Sequence, residues 1–239
     1  RKPDWWLAGQ DLRAEAAVLR EVLPAYTRKG VIFGAGFDRT FSKSLQVRYG
    51  LAGEFSQITR NGITQDYQLL GIPLTVLYNK ANSDMDPTRG YRLQLDITPW
   101  MDTGPSGNFF TVMRLTGRSY LDLGEPGRTV LATRASFGTE PATKINAIPP
   151  LGGASVIEAS VELRQRIGQS FGAVAFIDAG SAYPDYLPNF SLFAPRVGAG
   201  AGVRYYTDFG PIRFDVGIPL NRREGDPPFG VYVSLGQAF

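Results

Sequence analysis

Hydrophobic and polar residues alternate along most of the chain, and the segment 211–218 shows the pattern clearly. Its even positions are apolar, namely Ile212, Phe214, Val216 and Ile218. Its odd positions carry Arg213, Asp215 and Gly217. A period of two is that of a β-strand with one apolar and one polar face. In 229–239, Val231, Val233, Leu235 and Phe239 likewise share a face. No other part of the chain supplies a layer to cover these faces, so we expect them to contact lipid.

The same alternation predicts about twelve strands of roughly ten residues, the length that a tilted strand needs to cross a bilayer. The predicted strands are 4–18, 27–41, 45–60, 65–80, 90–101, 108–123, 128–139, 155–167, 171–183, 196–207, 211–221 and 229–239. The segment 11–23 is rich in Ala, Leu and Glu and also fits a helix. Only its place in a series of strands favours a strand there.

The connections and the charged residues indicate how these strands are arranged. Tight links near 41–45, 123–128, 167–171 and 207–211 alternate with mostly longer ones, which is typical of an outer-membrane barrel. Charges of both signs repeat on one face of successive strands, and no amphipathic helix is present to cover the sheet. We therefore predict an all-β fold, a single transmembrane antiparallel β-barrel domain over residues 1–239.

The composition removes several classes of function. The chain has no histidine and no cysteine, so neither a histidine-dependent triad nor a thiolate or imidazole metal site can be built. Its net charge is +3 with both signs interspersed, and no basic run indicates a nucleic acid. No apolar run is long enough for a transmembrane helix. We expect no enzyme activity, no catalytic residue, no metal, no cofactor and no nucleic acid partner.

Two carboxylates lie on the polar faces of neighbouring predicted strands. Glu162 shares its face with Arg164 and Arg166, and Asp178 lies on the following strand. If the two strands pair, these carboxylates are near neighbours and could jointly hold a guanidinium group. The alternative, which the residues alone favour, is that they only balance the inward arginines of a hydrated interior.

Three glycines share one face of the predicted strand 196–207. Gly198, Gly200 and Gly202 form a smooth track where another backbone can approach closely. Curvature of the sheet or a bulge accounts for them equally well. They are not a dinucleotide-binding fingerprint, because no helix start follows them.

Several motifs resemble the barrel of the outer-membrane assembly insertases, the superfamily of BamA and TamA, and most closely the TamA type. The motifs are DPTRGY at 86–91, EASVELR at 158–164, FIDAG at 176–180, GAGAGVRYY at 198–206, GPIRFD at 210–215 and SLGQAF at 234–239. Their order and joint occurrence make the resemblance specific, and they are densest from residue 154 onward.

The resemblance implies a protein of the bacterial outer membrane that helps other outer-membrane proteins, such as autotransporter-type clients, to insert and fold. A lateral seam between the first and last strands would offer its edges to a client strand. The last strand, with Tyr232, Leu235, Gly236 and Phe239, resembles the signal that such insertases read in their clients. The implied partners are outer-membrane lipids, client proteins and a TamB-like periplasmic protein.

The resemblance also implies roles for the two acids and the three glycines. Glu162 and Asp178 look like the acids that hold the arginine of a long inward-folded loop, and Gly198, Gly200 and Gly202 look like the face on which that loop packs. In the family this loop carries a Val-Arg-Gly-Tyr/Phe motif, which the link 140–153 lacks. Here Ile148-Pro149-Pro150 looks like the beginning of the loop and Leu151-Gly152-Gly153 like its end.

A second departure concerns the number of strands. Barrels of the family have about sixteen strands preceded by POTRA domains, whereas this chain starts at a segment that resembles the fifth strand. A smaller barrel with a new seam between 4–18 and 229–239 is therefore expected if the chain is intact. The alternative function is a truncated or engineered barrel that acts as a passive transmembrane pore.

Overall fold

The computed structural model describes residues 2–23, 26–104, 107–142, 153–190, 194–208 and 210–239. Thirteen strands in these ranges form one sheet. They are β1 (Gln10–Leu23), β2 (Tyr26–Thr40), β3 (Leu45–Arg60), β4 (Ile63–Gly71), β5 (Leu74–Asn79), β6 (Gly90–Asp102), β7 (Phe109–Asp122), β8 (Thr129–Thr139), β9 (Ser155–Ile167), β10 (Phe171–Tyr183), β11 (Arg196–Thr207), β12 (Gly210–Pro219) and β13 (Gly230–Leu235). In the described part of the chain, no helix has the length and apolar character needed to cross a membrane.

The sheet is an antiparallel meander in which neighbours in sequence pair with each other. The exception is the predicted strand 65–80, which is divided into β4 and β5, both lying between β3 and β6. The division falls at Ile72 and Pro73, and the chain passes Pro99 of β6 there. Prolines have no N–H group to donate to the ladder. The all-β antiparallel prediction is confirmed, with thirteen strands in place of twelve.

The first strand shows where local propensity misleads. β1 begins at Gln10 rather than at residue 4, because Asp4 and Trp6 have positive φ angles of 50° and 65° and form a turn. The helix that the Ala-rich segment 11–23 could form is absent. Every residue of β1 pairs with β2, from Gln10 opposite Arg39 to Leu23 opposite Tyr26. Pairing along a whole strand thus overrides the helix propensity of alanine and glutamate.

The two faces of the sheet differ in the way expected of an outer-membrane barrel. The interior face buries charged and polar side chains, among them Glu162, Arg164, Arg204 and Asp215. The outer face exposes large apolar side chains on almost every strand, such as Leu121, Val161 and Val203. A soluble sheet has the reverse distribution, since charged residues are rarely buried and large apolar patches are rarely exposed.

The last strand, β13, is shorter than the predicted strand 229–239, so the predicted end of this strand is wrong. β13 ends at Leu235 because Gly236 takes a φ of +85°, which turns the chain out of the strand. Phe239 therefore does not share the outer face of Val231 and Val233. It packs instead on the interior face against a buried cluster of β7 and β8 residues, which are Tyr120, Val130 and Ala132.

Candidate functional site on the interior face

A network of charged side chains, most of them buried, lies on the interior face of β9, β11 and β12. Arg164 Nε donates a 2.5 Å hydrogen bond to Glu162 Oε1, and Arg204 Nη2 lies 3.6 Å from Glu162 Oε2. Arg204 Nη1 also donates to Asp215 Oδ1, and Arg213 Nε lies 3.4 Å from Asp215 Oδ2. We call Glu162, Arg164, Arg204, Arg213 and Asp215 the buried ion network. Buried charges are tolerated only when they are paired in this way.

Gly202 makes room for this network. A Cβ atom at Gly202 would lie 1.9 Å from Asp215 Oδ1 and 2.9 Å from Arg204 Nη1. Gly202 of β11 pairs directly with Asp215 of β12, so the carboxylate folds over the glycine to reach the guanidinium of Arg204. A side chain at this position would displace one of the two charges.

The other two predicted glycines have different surroundings. A Cβ at Gly200 would meet the Phe176 ring at 2.3 Å and the Val216 carbonyl oxygen at 2.4 Å. The neighbouring strand β10 thus already fills the space above Gly200. Gly198 is more open, with Ile218 O the nearest atom at 3.4 Å. Of the three glycines, only Gly198 lines an interior cavity of about 660 Å³.

The two predicted acids lie near each other but differ in environment. Glu162 and Asp178 both line an interior cavity of about 660 Å³, together with Gly198. Asp178 lies opposite Ser160, two positions from Glu162 along β9. Glu162 is only 2% exposed and is paired with Arg164 and Arg204, whereas Asp178 is exposed and makes no ion pair within the described residues. Most of the predicted loop, 148–152, lies outside the described residues, so a loop arginine on these acids stays a prediction.

The end of the chain is held on the interior face by residues that the sequence did not single out as a site. Asp86, in the link between β5 and β6, accepts hydrogen bonds from Arg166 Nη2 at 2.9 Å and from Gln237 Nε2 at 2.7 Å. Arg164 Nη2 donates to the main-chain oxygen of Phe239 at 3.0 Å, and its guanidinium lies 5.6 Å from the Phe239 ring. We call these contacts the tail clasp.

The tail clasp connects two motifs that were recognised in the sequence only by their resemblance to the insertase superfamily. Asp86 belongs to the motif at 86–91 and Gln237 to the motif at 234–239. The sequence therefore contained both motifs but did not show that they contact each other. Of the other residues predicted for the seam, Tyr232 lies on the interior face opposite Asp215, and Leu235 lies opposite Ile212 and is 71% exposed. Tyr232 and Leu235 are in β13, while Gly236 and Phe239 belong to the turned tail.

We predict that Asp86→Ala releases the tail while the sheet stays folded. Loss of a hydrogen bond to a charged group is worth roughly 1.5–3 kcal/mol, which is about tenfold or more in the population of the released tail. The measurement is the rate at which a maleimide labels a cysteine introduced at Ala238. Asp84→Ala is the control, because Asp84 is largely exposed and pairs with Arg92 rather than with the tail. Equal labelling rates in both variants would contradict the clasp.

Two further acids outside the strands have shifted pKa values. Burial raises the pKa of Glu140, just after β8, to about 7, and the Oε1 atom of this carboxyl has no hydrogen-bond partner in the described residues. The backbone N–H of Arg223 and the guanidinium of Arg196 lower the pKa of Asp226, between β12 and β13. No pattern in the sequence pointed to either residue.

The chain is similar to known proteins both in sequence and in fold. A model of the Omp85 superfamily domain matches residues 3–150 and 143–239. Among solved structures, BamA from Haemophilus ducreyi lacking POTRA domains 1–3 is similar, with a TM-score of 0.74 and 14% sequence identity. That match covers 93% of this chain and 58% of the BamA chain. No curated protein matches by sequence.

Proposed function

Because the chain belongs to the Omp85 superfamily, we propose that it is the membrane-embedded part of an outer-membrane insertase, which helps other barrel proteins to insert and fold. The observation that carries the proposal is the pair of free sheet edges. Within the described residues, β13 pairs only with β12, and β1 pairs with β2 and otherwise only with Lys2, through a single bridge at Leu12. Beyond Leu12, the outer edge of β1 has no ladder partner among the described strands, and neither has the outer edge of β13.

Free edges supply a reason for a client strand to bind at the seam. A backbone N–H or C=O group that lacks a partner within lipid costs several kcal/mol. A client strand that adds to the edge of β1 satisfies such groups on both partners, which is β-augmentation. The mechanism needs no cofactor and no covalent chemistry, so it agrees with a chain that lacks histidine and cysteine.

The short last strand supports a second part of the mechanism, a local disturbance of lipid. β13 has six residues, whereas β1 has fourteen. Six residues span about 20 Å at roughly 3.3 Å per residue, which is less than the bilayer's hydrocarbon thickness of about 30 Å. Lipid next to a short apolar band thins to match it. Thinned lipid at the seam would lower the barrier for a client to enter.

The proposal extends to location, partners and domain organisation. The apolar outer face contacts lipids of the bacterial outer membrane, and the whole segment 1–239 acts as one domain. Autotransporter-type proteins are the proposed clients, and a TamB-like protein is the proposed periplasmic partner. These finer assignments rest on the motifs at 158–164 and 210–215 that resemble the TamA type.

We expect this chain in liposomes to accelerate folding of a small outer-membrane barrel protein added in urea, followed by the gel-mobility shift of the folded client. A photo-crosslinking residue at Val18, on the exposed edge strand β1, should capture the client. The matched control is the same residue at Leu121, which is also exposed but lies on the central strand β7. The insertase proposal would be contradicted if client folding were not accelerated, or if the client were captured equally from both positions.

The interior cavities favour the second candidate, a passive pore. The cavity of about 660 Å³ is lined by charges of both signs, including Arg134, Arg196 and Asp178. A steady open conductance in a planar bilayer, from a sample whose intact mass matches 26.1 kDa, would support the pore if the same sample leaves client folding unchanged. A larger mass with low or flickering conductance would instead support the insertase.

A further inference from the structure

Three arginines form a row across β6, β7 and β8 on the interior face. Arg92 pairs directly with Arg118, and Arg118 pairs directly with Arg134. Residues opposite each other in an antiparallel sheet have Cβ atoms about 4.5–5.5 Å apart, and like charges in such positions are destabilising. Repulsion between the three arginines therefore destabilises the fold, so the stability of the fold gives no reason for this row.

The acids near this arginine row leave its middle member without a partner. Arg92 Nη2 lies 2.9 Å from Asp84, whose carboxylate is largely exposed, and Arg134 Nη2 lies 2.8 Å from Glu158. Glu158 is shared with a further arginine, Arg114, at 2.6 Å. Arg118 has no hydrogen bond and no ion pair within the described residues, and its Nε atom is buried. The Nε atoms of Arg92 and Arg134 are also buried without partners.

The row opens into a cavity that could hold a small ligand. This second cavity measures about 420 Å³ and lies beside the turned tail. Arg92 and Arg118 supply its positive charge, and Asp84 is the only acidic side chain among its described lining residues. Its other lining residues are Leu77, Met85, Pro87, Gln94, Gly236, Gln237 and Phe239. A concave site with one dominant sign of charge concentrates counter-ions of the opposite sign.

We propose that Arg118 and Arg92 bind a phosphate group in this cavity. A guanidinium group presents its donors in a planar fork that matches phosphate oxygens, and such charge-assisted bonds are stronger than neutral ones. A tetrahedral phosphate offers oxygens to both arginines and neutralises the charge that the row leaves unbalanced. Bound phosphate also removes the unfavourable state of a half-buried cation without a partner.

The site is independent of the proposed insertase function. Its two arginines lie on β6 and β7 and not on the edge strands β1 and β13, although the tail that follows β13 also lines the cavity. A protein that fails to fold clients could still bind phosphate, and a working insertase could lack the site. The two proposals therefore fail separately.

The test is calorimetric titration of inorganic phosphate into the purified, folded chain in detergent, at constant ionic strength with chloride as the competing anion. We expect saturable binding that weakens about tenfold in Arg118→Gln, because the unpaired fork is lost. Arg48→Gln is the matched control and should change the affinity less than about twofold. Arg48 is also an inward arginine, but it is paired with Asp38 at 3.1 Å on other strands.

A charge-conserving variant covers the case in which Arg118→Gln does not fold. Arg118→Lys retains the positive charge but loses the fork, so we expect phosphate affinity about threefold below that of the unmodified chain. Glycerol phosphate, the polar part of a phospholipid headgroup, distinguishes the sources: tighter binding than free phosphate assigns a headgroup, and weaker binding assigns free phosphate. No phosphate binding by the unmodified chain, or an equal loss in Arg48→Gln and the Arg118 variants, would overturn the proposal.

Discussion

Replacing Glu162 with glutamine is expected to destabilise the fold by roughly 3–5 kcal/mol, the cost of removing one partner from a buried ion pair. Arg164 and Arg204 are 3% and 1% exposed and both depend on the Glu162 carboxylate. The variant would leave two buried guanidinium groups with one fewer counter-charge. The measurement is equilibrium unfolding in urea from lipid vesicles, followed by tryptophan fluorescence.

The matched control for this prediction is Asp178→Asn. Asp178 lies on the same interior face and lines the same cavity, but it is exposed and unpaired within the described residues. We expect its replacement to change the free energy of unfolding by less than about 0.5 kcal/mol. A large loss of stability in Asp178→Asn would show that a further cation, such as the predicted loop arginine, binds this carboxylate. Equal small effects in both variants would contradict the buried ion network.

Much of the fold could be predicted from the sequence because a strand of a membrane barrel carries its own pattern. The bounds predicted for 45–60, 155–167, 171–183 and 196–207 agree with β3, β9, β10 and β11. The errors fall where a local pattern competes with pairing or with a turn. The predicted strand 4–18 starts too early, before the turn at Asp4 and Trp6, and ends too early, since β1 continues to Leu23. The apolar alternation up to Phe239 concealed the turn at Gly236.

The candidate site was less predictable, because alternation places a residue on a face but not beside a partner. The sequence placed Glu162 on the interior face with Arg164, and the register then brings Arg204 from β11 to the same carboxylate. Nothing in the sequence distinguishes Glu162 from Asp178 as the acid that is already paired. Likewise, the contact between Asp86 and Gln237 joins positions 151 residues apart, a distance that no local pattern spans.

The three glycines show the same limit of prediction from sequence, because alternation gives the face of a residue but not its neighbours. The alternation in the sequence places Gly198 and Gly202 on the same face of the strand and does not distinguish between them. In the structure, Gly202 alone lies under the Asp215 carboxylate, where a Cβ would be 1.9 Å from Oδ1 and 2.7 Å from Phe214 O. The second contact is with backbone, so moving the aspartate side chain cannot relieve the whole clash.

Gly202→Ala is therefore expected to break the pair between Asp215 and Arg204 and to cost about 3 kcal/mol or more, since a buried charge loses its partner. Unfolding from lipid vesicles is again the measurement, with Gly198→Ala on the same strand as control. At Gly198 the nearest atom to an added Cβ is 3.4 Å away, an ordinary contact, so the control should keep its stability. If both alanine variants were equally stable, these glycines would be features of sheet curvature, and the ion network would not depend on the space above Gly202.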